Sequence, residues 1–368
     1  MQIIRTDVLV VGGGLEGALL ALKLQRSGQQ VLLVDRGRPR APDAPYDTWL
    51  CSPFLYSPDR WSDLQASLAE WDEWGALHWA PGCALAPRES NSYGRLQDDQ
   101  APRRVKAREL HQDEFPELRL DSGLGTFAWD RLPFLKVDAV TARIWQQLQK
   151  EGGKIYADTT ITQVDWEHEW PTAIGGSNIF RARRLFLVNG SGVAPLLKQP
   201  LPEFKQRRVW IEGQPLSDCK LNLERPCLWV HYAHLPLYLV ARGERWGLGR
   251  LGDGSQEAEE LQFLQKAMAQ WLRCPLGQQA IFQLQVDGLA DGQPALDYHP
   301  WRKDCLWLAG WGQTHWPWAP AMLERLCDPQ QALEPDLSPR RFDPPEPARD
   351  DRPGQKPEAG APQKSALV

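Results

Sequence analysis

No apolar run in these 368 residues approaches the ~20 that a membrane-spanning helix needs, so no membrane partnership is expected. Concentrated positive charge is also missing. Forty-two Lys and Arg face 47 Asp and Glu, a net charge of −5, which speaks against a nucleic-acid groove. Short basic clusters such as Arg181-Ala182-Arg183-Arg184 read as solvated loop faces. The seven cysteines contain no Cys-x-x-Cys pair and no Cys/His metal spacing, so neither a metal centre nor a disulfide framework is expected. An odd, scattered set of thiols fits the reducing cytoplasm. A basic-then-apolar leader is absent as well: the sequence runs directly into a strand expected at Asp7 to Val11.

What the sequence does have in excess is tryptophan. Eighteen are present, with clusters at Trp71, Trp74 and Trp79 and again at Trp311, Trp316 and Trp318. Aromatic core filling accounts for most of them, leaving a minority to line a pocket.

The first 35 residues carry the clearest pattern. Val8-Leu9-Val10-Val11 is the continuous apolar run of a parallel strand buried on both faces. Leu15 to Ser27 follow as a helix with Leu15, Leu19 and Leu22 on one face and Gly28 as its stop; Val31 to Val34 form the next strand, ending at Asp35. Between strand and helix stands Gly12-Gly13-Gly14-Leu15-Glu16-Gly17, a G-x-G-x-x-G in the setting that gives the motif meaning. Gly12 permits the tight turn, Gly14 lets the backbone approach a pyrophosphate, and Gly17 lets helix and strand close together. The diphosphate would sit on unpaired N–H groups at the positive end of the helix dipole, with Asp35 accepting from the ribose hydroxyls. From this element alone, NAD and FAD remain open.

Further along, a helix is expected at Ser62 to Trp74, and another capped by Asp138 with Val140, Ile144 and Leu148 on one face. Apolar strands are expected at Lys154 to Tyr156, Leu185 to Val188 and Cys305 to Ala309, and antiparallel ones between about residues 205 and 300. From Asp328 onward Pro, Gly and charge dominate, as in a disordered tail.

In collinear order, several segments resemble the FAD-dependent oxidoreductases grouped with D-amino-acid oxidase, glycine oxidase and sarcosine oxidase. Val34-Asp35-Arg36-Gly37 is similar to that family's acidic-basic-Gly strand ending. Val137-Asp138 and Gly152-Gly153-Lys154-Ile155 resemble the segment returning to the FAD domain, and Val164 falls where family members hold the adenine by backbone contacts. Leu187-Val188-Asn189-Gly190-Ser191-Gly192 resembles the strand ending in Asn-Ala-Ala-Gly. Glu212-Gly213-Gln214 is similar to the element opening the substrate sheet, and Leu306 to Gly310 with Gly312 and Ala319-Pro320 to the C-terminal strand, loop and helix that hold the flavin.

The resemblance implies an α/β fold in which a Rossmann-type FAD-binding domain (residues 1–50, 138–205 and 300–327) is interleaved with an antiparallel-sheet substrate domain (51–137 and 206–299). It implies non-covalent FAD, held by Gly12, Gly14, Gly17, Asp35, Arg36, Val164, Asn189, Gly190, Gly310 and Gly312. The departures from the family narrow the substrate. Family amino-acid oxidases clamp a carboxylate with the Arg of Gly-Leu-Arg-Pro; here that stretch reads Gly288-Leu289-Ala290-Asp291, and Gln313 stands where the second Arg would be. The glycine-bearing loop after the second strand is replaced by residues 39–58, which contain no glycine.

An amine other than a simple α-amino acid, small or peptidyl, is therefore the expected substrate, with O2 or another electron acceptor. Gln313, His315 and Tyr232 are the candidate catalytic groups, and Trp311, Trp316 and Trp318 a candidate apolar wall over the ring. Two alternatives stay open. One is a non-catalytic or partner-dependent flavoprotein, tethered to a protein through the Pro-rich tail; the other is a flavin monooxygenase.

Overall fold

The computed structural model describes residues 2–39, 48–50, 61–87, 108–109, 124–198, 201, 207–215, 227–232, 235–242, 245–252, 276–285, 289, 293–311, 313–327, 333 and 337–339, with a few positions between 259 and 269. Among the described residues, seventeen strands fall into two sheets. The first contains β1 (Gln2–Val11), β2 (Val31–Val34), β7 (Lys154–Tyr156), β8 (Ile161–Asp165), β9 (Thr172–Gly175), β10 (Asn178–Leu187), β16 (Ala295–His299) and β17 (Arg302–Ala309). The second contains β3 (Thr48–Leu50), β4 (Leu77–Pro87), β5 (Arg108–Glu109), β6 (Leu124–Lys136), β11 (Arg207–Pro215), β12 (Cys227–Tyr232), β13 (Leu235–Arg242), β14 (Arg245–Gly252) and β15 (Leu276–Gln285). The helices are α1 (Leu15–Arg26), α2 (Trp61–Glu73), α3 (Val137–Lys150), the short α4 (Val193–Leu197) and α5 (Ala319–Cys327).

The first sheet runs β16-β17-β10-β1-β2-β7, with β17, β10, β1, β2 and β7 mutually parallel and β16 antiparallel at the edge. Its central strand explains the apolar run of the sequence. Successive side chains alternate across a strand, so Val8 and Val10 enter one core and Leu9 and Val11 the other. Helices α1, α3 and α5 cover the first face. Leu15, Leu19, Leu20, Leu22 and Leu24 of α1 are all buried, because the helix is wedged between the sheet, α3 and α5 rather than laid on the sheet by one stripe. Each such leucine contributes roughly 1.5–3 kcal/mol of burial. Gly28 adopts φ +87° and ends the helix, its N–H bonding to the carbonyl of Gln25.

The chain leaves β1 through α1 toward β2 on one side, while β10 lies on the other. That reversal of winding opens a crevice at the carboxyl ends of β1 and β10, where open α/β sheets bind ligands. The second sheet runs β15-β11-β14-β13-β12-β4-β6-β3 and is antiparallel apart from the β4–β12 join.

Several expectations need correction. Residues 48–50 pair with β6 and so belong to the second sheet, not to the nucleotide-binding unit. Residues 295–299 pair with β17, which carries the first sheet back beyond the expected boundary at 300. Helix α2, assigned from sequence to the substrate domain, sends Trp71 into the core beneath α1 and α5. Asp138 does not cap α3: Lys136 occupies the cap position and Asp138 lies in the first turn. Arg181 to Arg184 are part of β10 rather than a loop. Leu333 and Leu337 of the expected disordered tail pack on the core, with Leu337 buried; apart from Ser338 and Pro339, the remainder of that tail lies outside the described residues. Among the described residues, no helix is long and apolar enough to cross a membrane.

Candidate functional site

The site begins where β1 ends. Gly12 bonds through its N–H to Val34 O and adopts φ +109°; a Cβ there would stand 2.3 Å from Val188 O. At Gly17, a Cβ would stand 1.8 Å from Gly12 O. Backbone contacts thus demand glycine at both positions. Gly14 differs. It is exposed, and a Cβ on it would meet only the Glu16 carboxylate at 3.4 Å. The protein itself does not require glycine here, whereas a diphosphate seated on the loop would. Helix α1 starts immediately afterwards with no side-chain cap from Gly14, leaving first-turn N–H groups for an anion.

Asp35, at the end of β2, stands against this loop. Its Oδ2 accepts from Gly13 N at 2.6 Å and its Oδ1 from Gly37 N at 2.7 Å. A carboxylate offers about four lone-pair sites, so two such bonds leave capacity for ribose hydroxyls. Thr159 N donates to Asp35 O at 2.8 Å, tying the entry of β8 to the same corner. Val164, on β8, turns its side chain wholly into the core, which leaves only its backbone for a ligand. Arg36 is exposed beside Asp35.

Across the crevice, β10 gives way to Asn189 and the 3-10 turn Gly190–Gly192, with Gly190 at φ +61°. The Asn189 Oδ1 atom is buried and has no hydrogen-bond partner among the described residues. A buried acceptor left unmade costs about 1–3 kcal/mol, so a ligand hydroxyl or N–H at this point would relieve it. A dinucleotide fits these residues: an uncapped helix start, an open glycine, a carboxylate at the end of the second strand and an orphaned acceptor just after β10.

The C-terminal segment closes the site from the other side. Gly310, at φ +66°, is buried against Leu289, whose Cγ would be 2.5 Å from a Cβ there; packing alone accounts for this glycine. Residues Gln313–Trp318 form a 3-10 segment tied down twice: Trp71 Nε1 donates to Pro317 O at 3.1 Å, and Trp316 Nε1 to Glu16 Oε1 at 2.7 Å.

His315 is 2% exposed, with Trp311 at 6.3 Å and Trp318 at 4.8 Å between ring centroids and Gln293 Oε1 at 3.3 Å from its Nε2. Trp318 packs on Leu64 and Leu68 of α2, and Trp311 joins the core under α5. The expected wall of three tryptophans is therefore split: two are core, and only Trp316 reaches the glycine-loop helix. Gly312 and the side chains of Gln313 and Tyr232 lie outside the described residues, although Tyr232 ends β12 in the second sheet, paired with Leu235. Burial pushes the Cys305 thiol up and the Cys327 thiol up to about 12, so neither is a nucleophile near neutral pH.

Two residues of this site were missed from sequence. Trp145 on α3 donates its indole N–H to Gly13 O at 2.8 Å. Glu16 holds Trp316. The signal for Trp145 was the third glycine, Gly13, which the dinucleotide motif does not need.

A family model described as FAD dependent oxidoreductase (DAO) matches residues 7–328. The solved structure of NikD, titled an unusual amino acid oxidase essential for nikkomycin biosynthesis, is similar with a TM-score of 0.71 at 14% identity, covering 91% of this chain and 97% of that one. L-proline dehydrogenase from P. horikoshii gives 0.70 at 14% identity, with 93% and 98% covered. Iminodiacetate oxidase from Chelativorans sp. BNC1 gives 0.68 at 18% identity, with 90% and 99% covered. No curated protein matches the sequence.

Proposed function

Because this chain belongs to the DAO family of FAD-dependent oxidoreductases, we propose that it oxidises the C–N bond of an amine that is not a simple α-amino acid. When bound, FAD supplies the two-electron acceptor for that oxidation. The glycine loop and first turn of α1 hold the diphosphate, Asp35 orients the ribose, and Asn189 Oδ1 accepts from the ligand beside Gly12.

The observation that carries the substrate reading is a substitution of charge. Where family amino-acid oxidases present a guanidinium to a carboxylate, this sequence has Ala290 followed by Asp291, directly after Leu289, whose side chain is buried against Gly310. Without that guanidinium a carboxylate loses its clamp, and an acid one position further on in the sequence would favour an ammonium over a carboxylate. The names of the similar structures agree with oxidation beside nitrogen, since they include oxidases of glycine and of iminodiacetate. Gln313 and Tyr232 are the substrate-side candidates for hydrogen bonding. The burial of His315 between two indoles favours a role in holding the 313–318 segment over direct proton exchange with substrate.

Aerobic incubation of the FAD-loaded protein with matched amines, with and without an α-carboxylate, tests this reading. Peroxide and carbonyl product are expected from carboxylate-free amines. Turnover confined to α-amino acids would overturn it.

A further inference from the structure

The dinucleotide motif asks for glycine at positions 12, 14 and 17, yet position 13 is glycine too. The reason lies on α3. A Cβ on Gly13 would stand 2.4 Å from Cζ2 of Trp145, so the indole and the glycine require each other. Trp145 is 8% exposed, and its Nε1 donates to Gly13 O at 2.8 Å. On the other side of the same residue, Gly13 N donates to Asp35 Oδ2 at 2.6 Å. Gly13 is thus held at both its N–H and its carbonyl.

A trans peptide is a rigid plane in which the carbonyl and the following N–H point in opposite directions, and no described peptide is cis. With Gly13 O turned inward to the indole, the N–H of Gly14 turns outward, on the side where Gly14 is exposed. We infer that Trp145 is a positioning residue for the cofactor: through the Gly13–Gly14 peptide plane, its indole N–H aims the Gly14 amide at the diphosphate. The inference rests on this loop holding FAD. A loop fixed in advance loses less freedom on binding, which is the source of the gain in affinity.

Packing alone would be served as well by a phenyl ring, so Trp145→Phe separates the two roles. The FAD dissociation constant of the W145F apoprotein, measured where the variant is fully folded, should rise about five- to ten-fold, while its thermal midpoint without FAD falls only by what one unpaired buried carbonyl costs. Equal FAD affinity in W145F and parent would overturn the inference. Failure of the parent itself to take up FAD would instead defeat the reading of the loop as a FAD site. A second readout needs no variant: in 15N-glycine-labelled parent protein titrated with FAD, the Gly14 amide should shift strongly and the Gly13 amide, already bonded to Asp35, much less. A Gly14 amide that FAD leaves unmoved would overturn the inference even if W145F did not fold.

Discussion

The indole of Trp316 and the carboxylate of Glu16 meet at 2.7 Å across 300 positions of sequence, joining the C-terminal 3-10 segment to the first turn of α1. Glu16 gains from the positive end of that helix, by about 0.3–1 kcal/mol at an exposed site. The same helix end is the proposed seat of the diphosphate. Trp316 therefore steadies an anion beside a second anion's site.

Glu16→Gln should move two quantities in opposite directions. Stability without FAD falls by up to about 1 kcal/mol as the favourable charge at the helix start is lost, while FAD binds about two- to five-fold tighter once the repelling carboxylate is gone. Titration calorimetry at low and high salt checks this, because the difference in affinity should shrink with screening. Weaker FAD binding by E16Q would mean that Glu16 helps to hold the ligand.

Lys23 clamps three helices. From α1 it reaches Glu70 of α2 at 2.9 Å and Glu324 of α5 at 2.8 Å, with only 11% of its own side chain exposed. Burial by itself would lower its pKa, but the hydrogen bonds to Glu324 and Glu70 outweigh that and hold it above the ordinary 10.5. A raised folded pKa means that the clamp is fully present below the unfolded value and is lost as pH climbs through the folded one. Lys23→Met should cost about 1–3 kcal/mol near neutral pH and flatten the alkaline limb of the stability profile. Glu324→Gln should cost less than about 1 kcal/mol, since Glu324 is 67% exposed and solvent screens its arm. Guanidinium unfolding of both variants across the alkaline range provides the check.

How far this site was legible in the sequence depends on the range of each contact. Gly12, Gly17 and Asp35 belong to one β–α–β unit, so their closeness to the glycine loop can be read from spacing alone. Val8 to Val11 announced a strand buried on both faces because each face alone is apolar. The partnership of Gly13 with Trp145 spans 132 positions, and nothing local separates that indole from the other tryptophans on apolar helix faces. The enclosure of His315 by Trp311 and Trp318 is not visible in the sequence, which offers it only as a candidate for proton exchange. Two short edge strands cross the expected boundaries near 50 and 300 for different reasons: the sheet of β3 is chosen by a distant partner, Phe134 to Lys136, whereas β16 is the first arm of a tight hairpin with Arg302 to Ala309.

His299 should make the fold acid-sensitive. It is 2% exposed, stacked on Trp166 at 4.1 Å, and burial followed by the nearby Arg302 holds its pKa below the ordinary 6.5, against the opposing pull of Asp304. A histidine depressed in the folded state is kept neutral there while the unfolded chain protonates. Its contribution is therefore present above the unfolded pKa and is lost as pH falls toward the folded one. The thermal midpoint should drop between about pH 8 and pH 5, and His299→Gln should remove part of that slope while lowering stability at the alkaline end. An unchanged slope in H299Q would assign the acid sensitivity to other groups.

Anaerobic titration of the FAD-reconstituted protein with carboxylate-free amines, followed by the visible flavin absorption, addresses the central claim most directly. The expected result is a yellow protein whose flavin band bleaches with at least one such amine and returns on admitting oxygen, with all of the FAD released on denaturation. A protein that stays colourless after reconstitution, or a flavin band that dithionite bleaches and no amine does, would contradict it.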